Sequence, residues 1–123
     1  MSDHSPSDKL PAAIEQRGTW AVLRLLEASL MDPAVIEALS LHVDKMLAEG
    51  RTRLIIDFSE VQYISSSMVG VLVSARQSVA RAGGKLVLAG LNARLRELLK
   101  ITRMDKMFTQ APDVETAVRE DAS

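Results

Sequence analysis

Three consecutive hydroxyls, Ser65-Ser66-Ser67, stand where a strand-like segment gives way to an apolar-periodic run beginning at Met68. Hydroxyls at a helix N-terminus sit among backbone N–H groups that lack partners, at the positive end of the helix dipole. A phosphoryl group added there changes the surface while leaving the fold intact. The spacing therefore points to a phosphorylation switch and away from a catalytic pocket. Ser65 is also placed to act as a helix N-cap, a role serine fills well.

The other chemistry-bearing residues do not converge. The chain has no cysteine, which excludes disulfides, thiolate catalysis and cysteine metal sites and is compatible with a reducing cytosol. His4 and His42 lack the clustered spacing of metal ligands, so no metal is expected. His42 is predicted on the side of its helix away from the apolar stripe. No G-x-S-x-G elbow surrounds the serines, and Gly83-Gly84 has turn spacing and no phosphate-loop spacing. Glu15, Glu27, Asp57 and Glu60 are scattered. No catalytic residue and no cofactor are expected. A net charge of -1 and 3% aromatics leave no electrostatic footprint or stacking platform for direct nucleic acid binding. Arg94, Arg96, Lys100 and Arg103 give one predicted helix a basic face, read as solvated and able to meet an acidic protein. The six methionines fall mostly at core spacing. Met68, beside the serines, is the one predicted to be partly exposed.

The elements that must position the serines follow from punctuation and periodicity. A chain of 123 residues, 47% apolar and 25% charged, suits one soluble globular domain with a real core. No apolar run approaches the roughly 20 residues of a membrane span. Residues 1–9 are polar, lack a signal-peptide core and read as a disordered leader; 10–119 read as the domain and 120–123 as a frayed tail. A strand is predicted over Trp20 to Leu26, with a weaker one near Ile14 to Arg17 that pairs with it as a hairpin. Asp32-Pro33 opens a helix with Val35, Ile36, Leu39, Val43, Met46 and Leu47 on one face, stopped at Gly50. Arg53 to Phe58 is apolar enough for a central strand. The serine turn and a second helix follow, with Met68, Val69, Val71, Leu72, Ala75 and Val79 as its stripe. Lys85 to Ala89 is a further strand. Asn92 caps a third helix with Leu95, Leu98 and Leu99 inward. Phe108 is read in a short strand, and Pro112-Asp113 opens a last helix through Val118. This order favours parallel strand–helix–strand units with right-handed crossovers.

Asp57-Phe58-Ser59-Glu60-Val61-Gln62-Tyr63-Ile64, followed by the serine turn and Gly70-Val71-Leu72, resembles the STAS family, shared by sulphate transporters and anti-sigma factor antagonists. Leu91 to Leu99 and Met104-Asp105-Lys106-Met107-Phe108 resemble the family's later segments, so the resemblance covers nearly the whole chain. It implies an α/β fold, a mixed sheet of four to five strands with about four helices packed mainly on one side. It implies a cytoplasmic, non-enzymatic anti-sigma factor antagonist, a partner-switching regulator. The implied partners are a serine-kinase anti-sigma factor and a serine phosphatase, and the protein is expected to be a monomer or weak homodimer. By position the phosphoacceptor is Ser66, with Ser65 and Ser67 as competing hydroxyls. The chain departs from the family pattern at two places: Ser65 stands for its Asp and Met68 for its Gly. The partner surface is expected on Ser65, Ser66, Ser67, Met68 and Val69, on Met31, Asp32 and Pro33, and on Leu91 and Asn92. The alternative reading is a constitutive STAS adaptor or scaffold subunit, in a stress-signalling assembly or a lipid-transport ATPase complex.

Overall fold

The structure, a computed structural model, describes residues 11–120; the expected leader and residues 121–123 lie outside the described residues. In chain order the elements are β1 (Ala12–Arg17), β2 (Trp20–Leu25), β3 (Ser29–Leu30), α1 (Pro33–Ala48), β4 (Arg53–Asp57), β5 (Tyr63–Ile64), α2 (Ser66–Arg81), β6 (Lys85–Ala89), α3 (Ala93–Ile101), β7 (Thr109–Ala111) and α4 (Val114–Glu120). Glu120 thus ends α4, where the sequence suggested the tail begins.

β1 and β2 form the expected hairpin, turning at Gly18 with φ +62°. The main sheet runs β1-β2-β4-β6-β7, antiparallel only at the hairpin and parallel thereafter. Central β4 is apolar on both faces because both are covered. Leu54 and Ile56 join a core with α1, α2 and α3, whereas Ile55 packs with Trp20, Val87, Val114 and Ala117 under α4. Three helices on one face and one short helix on the other give the predicted mixed, lopsided α/β layering.

The helix ends show why the chain turns where it does. The Asp32 Oδ1 accepts from Ala34 N at 2.9 Å, with Pro33 in the first turn of α1. The Asn92 Oδ1 accepts from Leu95 N at 2.8 Å to cap α3. At the far end of α2, Gly83 takes φ +77°, and a Cβ on Gly84 would overlap the Thr52 carbonyl. Glycine is required at both, one for its backbone angle and one for the close approach.

Three details differ from the sequence reading. Phe108 is buried but precedes β7, and Leu98 is only half-buried. β3 and β5 were not anticipated. They pair in parallel as a separate two-stranded sheet, Ser29 opposite Tyr63 and Leu30 opposite Ile64. Two residues are too few to show a period of two, so nothing in the local pattern marks them.

Candidate partner surface at the start of the second helix

The small β3–β5 sheet delivers the serines to the surface. Leu30 and Ile64 point into the core, while their neighbours Ser29 and Tyr63 point out. Ser65 N then donates to Leu30 O at 3.3 Å, which sets Met31 beside the serine turn. The chain bends into α2 with Ser65 extended, at φ -86° and ψ 163°. The Ser65 Oγ accepts from Met68 N at 3.2 Å. Ser65 is therefore the N-cap and is half-buried, whereas Ser66 and Ser67 are exposed in the first turn.

The structure brings together much of the expected surface. A cleft of about 390 Å³ between the starts of α1 and α2 is lined by Met31, Pro33, Ile36, Glu37, Ser40, Ser65, Ser67 and Val71. Met31 is 53% exposed at its rim. Asp32 is exposed but spends a carboxylate oxygen capping α1. On the other flank, the Asn92 Nδ2 lies 3.4 Å from the carbonyls of both Val61 and Gln62, tying the start of α3 to the loop that leads into β5.

Three expected surface residues are corrected by burial. Met68, anticipated as partly exposed, is fully buried in the core formed with α1 and β4. Val69 and Leu91 are buried as well. The first turn of α2 points Ser66, Ser67 and Gly70 outward, so Met68 and Val69 face the sheet. These three side chains support the surface from beneath and present no contact area. Methionine in place of the family's glycine consequently adds core volume and leaves the exterior unchanged. Serine in place of the family's aspartate preserves capping, since both residue types cap well. His42 also differs: it is half-buried in a groove with Ile14, Gln16, Lys45, Met46, Glu49 and Arg51.

One pair escaped sequence reasoning. The Arg94 guanidinium lies over the Tyr63 ring, 4.5 Å from its centroid, and Tyr63 remains 45% exposed. A stacked arginine and tyrosine beside Met31 and the serine turn are residue types enriched at binding hot spots. The only sequence signal was the basic face of α3, which does not reveal a contact across 31 positions.

Nearby, Asp57 is almost fully buried. Its Oδ2 accepts from Arg24 Nε at 3.0 Å and its Oδ1 from Ser59 N at 3.0 Å. Oδ2 thus ties the end of β4 to β2 and Oδ1 shapes the turn that leaves the strand, so both oxygens are engaged and Asp57 acts as a structural anchor.

A family model described as the STAS domain matches residues 12–117. The chain belongs to the STAS family. Within it, the anti-sigma-B factor antagonist of Listeria monocytogenes is 43% identical over 76 residues, which is 62% of this chain and 63% of the relative. An anti-sigma factor antagonist from Mycobacterium paratuberculosis superposes with a TM-score of 0.80 at 19% identity, covering 94% of this chain and 97% of the other. The phosphorylated form of the Bacillus cell fate determinant SpoIIAA superposes with a TM-score of 0.67 at 18% identity, covering 89% and 99%. These two superpositions show a shared STAS fold. No helix among the described residues is long and apolar enough to cross a membrane.

Proposed function

We propose that this STAS protein is an anti-sigma factor antagonist that works by partner switching, with Ser66 as the regulated hydroxyl. The observation that carries the reading is the division of labour in the serine triplet. Ser65 is committed to capping α2, Ser67 lines the cleft with Met31 and Pro33, and Ser66 is exposed between them. The unphosphorylated surface, Ser65 to Ser67 with Met31, Asp32, Pro33, Tyr63, Arg94 and Asn92, binds a serine-kinase anti-sigma factor. Phosphorylation adds a charge of about -1.5 to -2. Inside a desolvated interface such a charge costs several kcal/mol, enough to release the partner. A serine phosphatase restores the binding form. The Listeria relative is named an anti-sigma-B factor antagonist, which supports the antagonist part of the reading.

The test is phosphosite mapping by mass spectrometry on protein from its native cells, with and without phosphatase treatment. Phosphate on Ser66 is expected. Ser66→Asp should lose affinity for the kinase partner at least tenfold while Ser66→Ala keeps it. Repeated absence of phosphate across growth conditions, with equal affinities for both variants, refutes the switch and leaves a constitutive STAS adaptor.

A further inference from the structure

Arg94 is held in a way that leaves its chemistry unspent. Arg17, Arg24 and Arg96 each place a guanidinium N–H on an oxygen, of Glu115, of Asp57 and of the Leu91 carbonyl. The Arg94 guanidinium lies instead over the Tyr63 ring, 4.5 Å from its centroid, and has no hydrogen-bond or ion-pair partner among the described residues. Stacking engages the face of the planar fork and leaves its in-plane N–H donors open. Both side chains are exposed, so the stack is a modest interaction that a stronger acceptor displaces.

The fold turns Ser66 toward this arginine. α1, α2 and α3 follow one another across the same face of the sheet, as the strand order β2-β4-β6-β7 requires, so α3 flanks α2 on the side away from α1. Around α2, Ser67 and Val71 face α1 and line the cleft, while Met68, Leu72 and Val79 face the sheet. At about 100° per residue, Ser66 lies beyond Ser67 from Val71, at the solvent edge of the α3 flank. It lines no part of the cleft. Ser66 follows Tyr63 by three residues, so their Cα atoms are at most about 11 Å apart. The Asn92 Nδ2, 3.4 Å from the Val61 and Gln62 carbonyls, holds the start of α3 against the same loop.

We propose that Arg94 is the intramolecular receptor for a phosphoryl group on Ser66: its guanidinium leaves the Tyr63 ring and pairs with the phosphate oxygens. Arginine's fork matches phosphate bidentately, and such a charge-assisted pair outweighs an exposed ring contact. The inference rests on Ser66 being the regulated hydroxyl, and it adds a second consequence to its modification. Besides placing charge in the partner interface, the phosphate withdraws Arg94 from that interface and uncovers Tyr63.

The test is a pH titration of the full chain carrying phosphoserine incorporated at position 66 during synthesis, followed by phosphorus NMR and by the Tyr63 ring signals. It reads the contact whether or not cells modify the serine, so its failure is distinct from failure of the switch, which phosphosite mapping decides. The second ionisation of the phosphate, at about pH 6 when unperturbed, shifts down beside a cation. Arg94→Gln is therefore expected to raise the midpoint by at least about 0.3 unit. Arg96→Gln, which removes the same charge from the same helix, should raise it by less than half as much. The Tyr63 ring signals should titrate with the phosphate in the parent and stay still in Arg94→Gln. A smaller rise in Arg94→Gln, an equal rise in Arg96→Gln, or Tyr63 signals indifferent to the phosphate overturns the proposal. Arg94→Met, which keeps the aliphatic stem, repeats the test if the glutamine variant fails to fold.

Discussion

Replacing Ser65 by alanine separates capping from phosphoacceptance, because the structure gives neighbouring hydroxyls different jobs. The Ser65 Oγ satisfies the Met68 N–H at 3.2 Å, and Ser65 has the extended backbone of an N-cap. Removing it leaves that N–H only the Ser65 carbonyl, 3.0 Å away, and should cost about 1 kcal/mol, within the 0.5–2 kcal/mol typical of such caps. For a chain of this size that is a fall in Tm of roughly 3–5 °C. Ser66 is exposed and makes no recorded side-chain bond among the described residues, so Ser66→Ala should stay within about 0.5 kcal/mol of the parent. Ser65→Asp should recover most of the lost stability, since aspartate caps as well as serine. Urea unfolding followed by the fluorescence of the single, buried Trp20 reads all three variants. If Ser65→Ala is as neutral as Ser66→Ala, the division of labour within the triplet is wrong.

Three further outcomes follow from packing and capping. Met68→Ala should destabilise by about 2–5 kcal/mol in the same assay, because a fully buried side chain leaves a cavity, whereas a surface role would leave stability unchanged. Gly84→Ala should lower stability by at least about 2 kcal/mol, since its Cβ meets the Thr52 carbonyl and backbone must move. Acidification should loosen α4 before the core. The Asp113 carboxyl is held below its usual range by hydrogen bonds from Thr116, backbone first and side chain second. A carboxyl with a depressed folded pKa gives stability that is present above its unfolded value and lost as pH falls through the folded one. Amide exchange at Thr116 and Ala117 should therefore accelerate, relative to β4, below about pH 4.

The alternation of strands with capped, amphipathic helices was readable because each cue is local. Asp32-Pro33, Asn92 and Gly83-Gly84 act within a turn of where they stand, and the apolar run of β4 needs no partner to identify it. The serine turn was readable for the same reason. The orientation of Met68 and Val69 was decided by the exact helix start: with Ser65 as the cap, both rotate onto the core face. The stacking of Arg94 on Tyr63 joins α3 to β5. It is a consequence of tertiary register, which a residue type at one position does not encode.

The β3–β5 sheet, two residues on each side, carries the serine segment on its own hydrogen bonds, apart from the five-stranded sheet. Its backbone pairs are few: Gln62 N and Tyr63 N to Ala28 O, and Ser65 N to Leu30 O, flank the two bridged positions. Its outward side is held by these bonds alone, while Leu30 and Ile64 anchor its inward side in the main core. An enzyme that modifies a seryl oxygen needs several residues drawn out as an extended ribbon. On the partner-switching reading proposed above, loosening this clasp would present Ser66 to such an enzyme with β4, β6 and their helices still closed. On that reading access to the serine is set by the clasp, and because Leu30 and Ile64 are buried in the main core, substitutions there act on the whole fold as well.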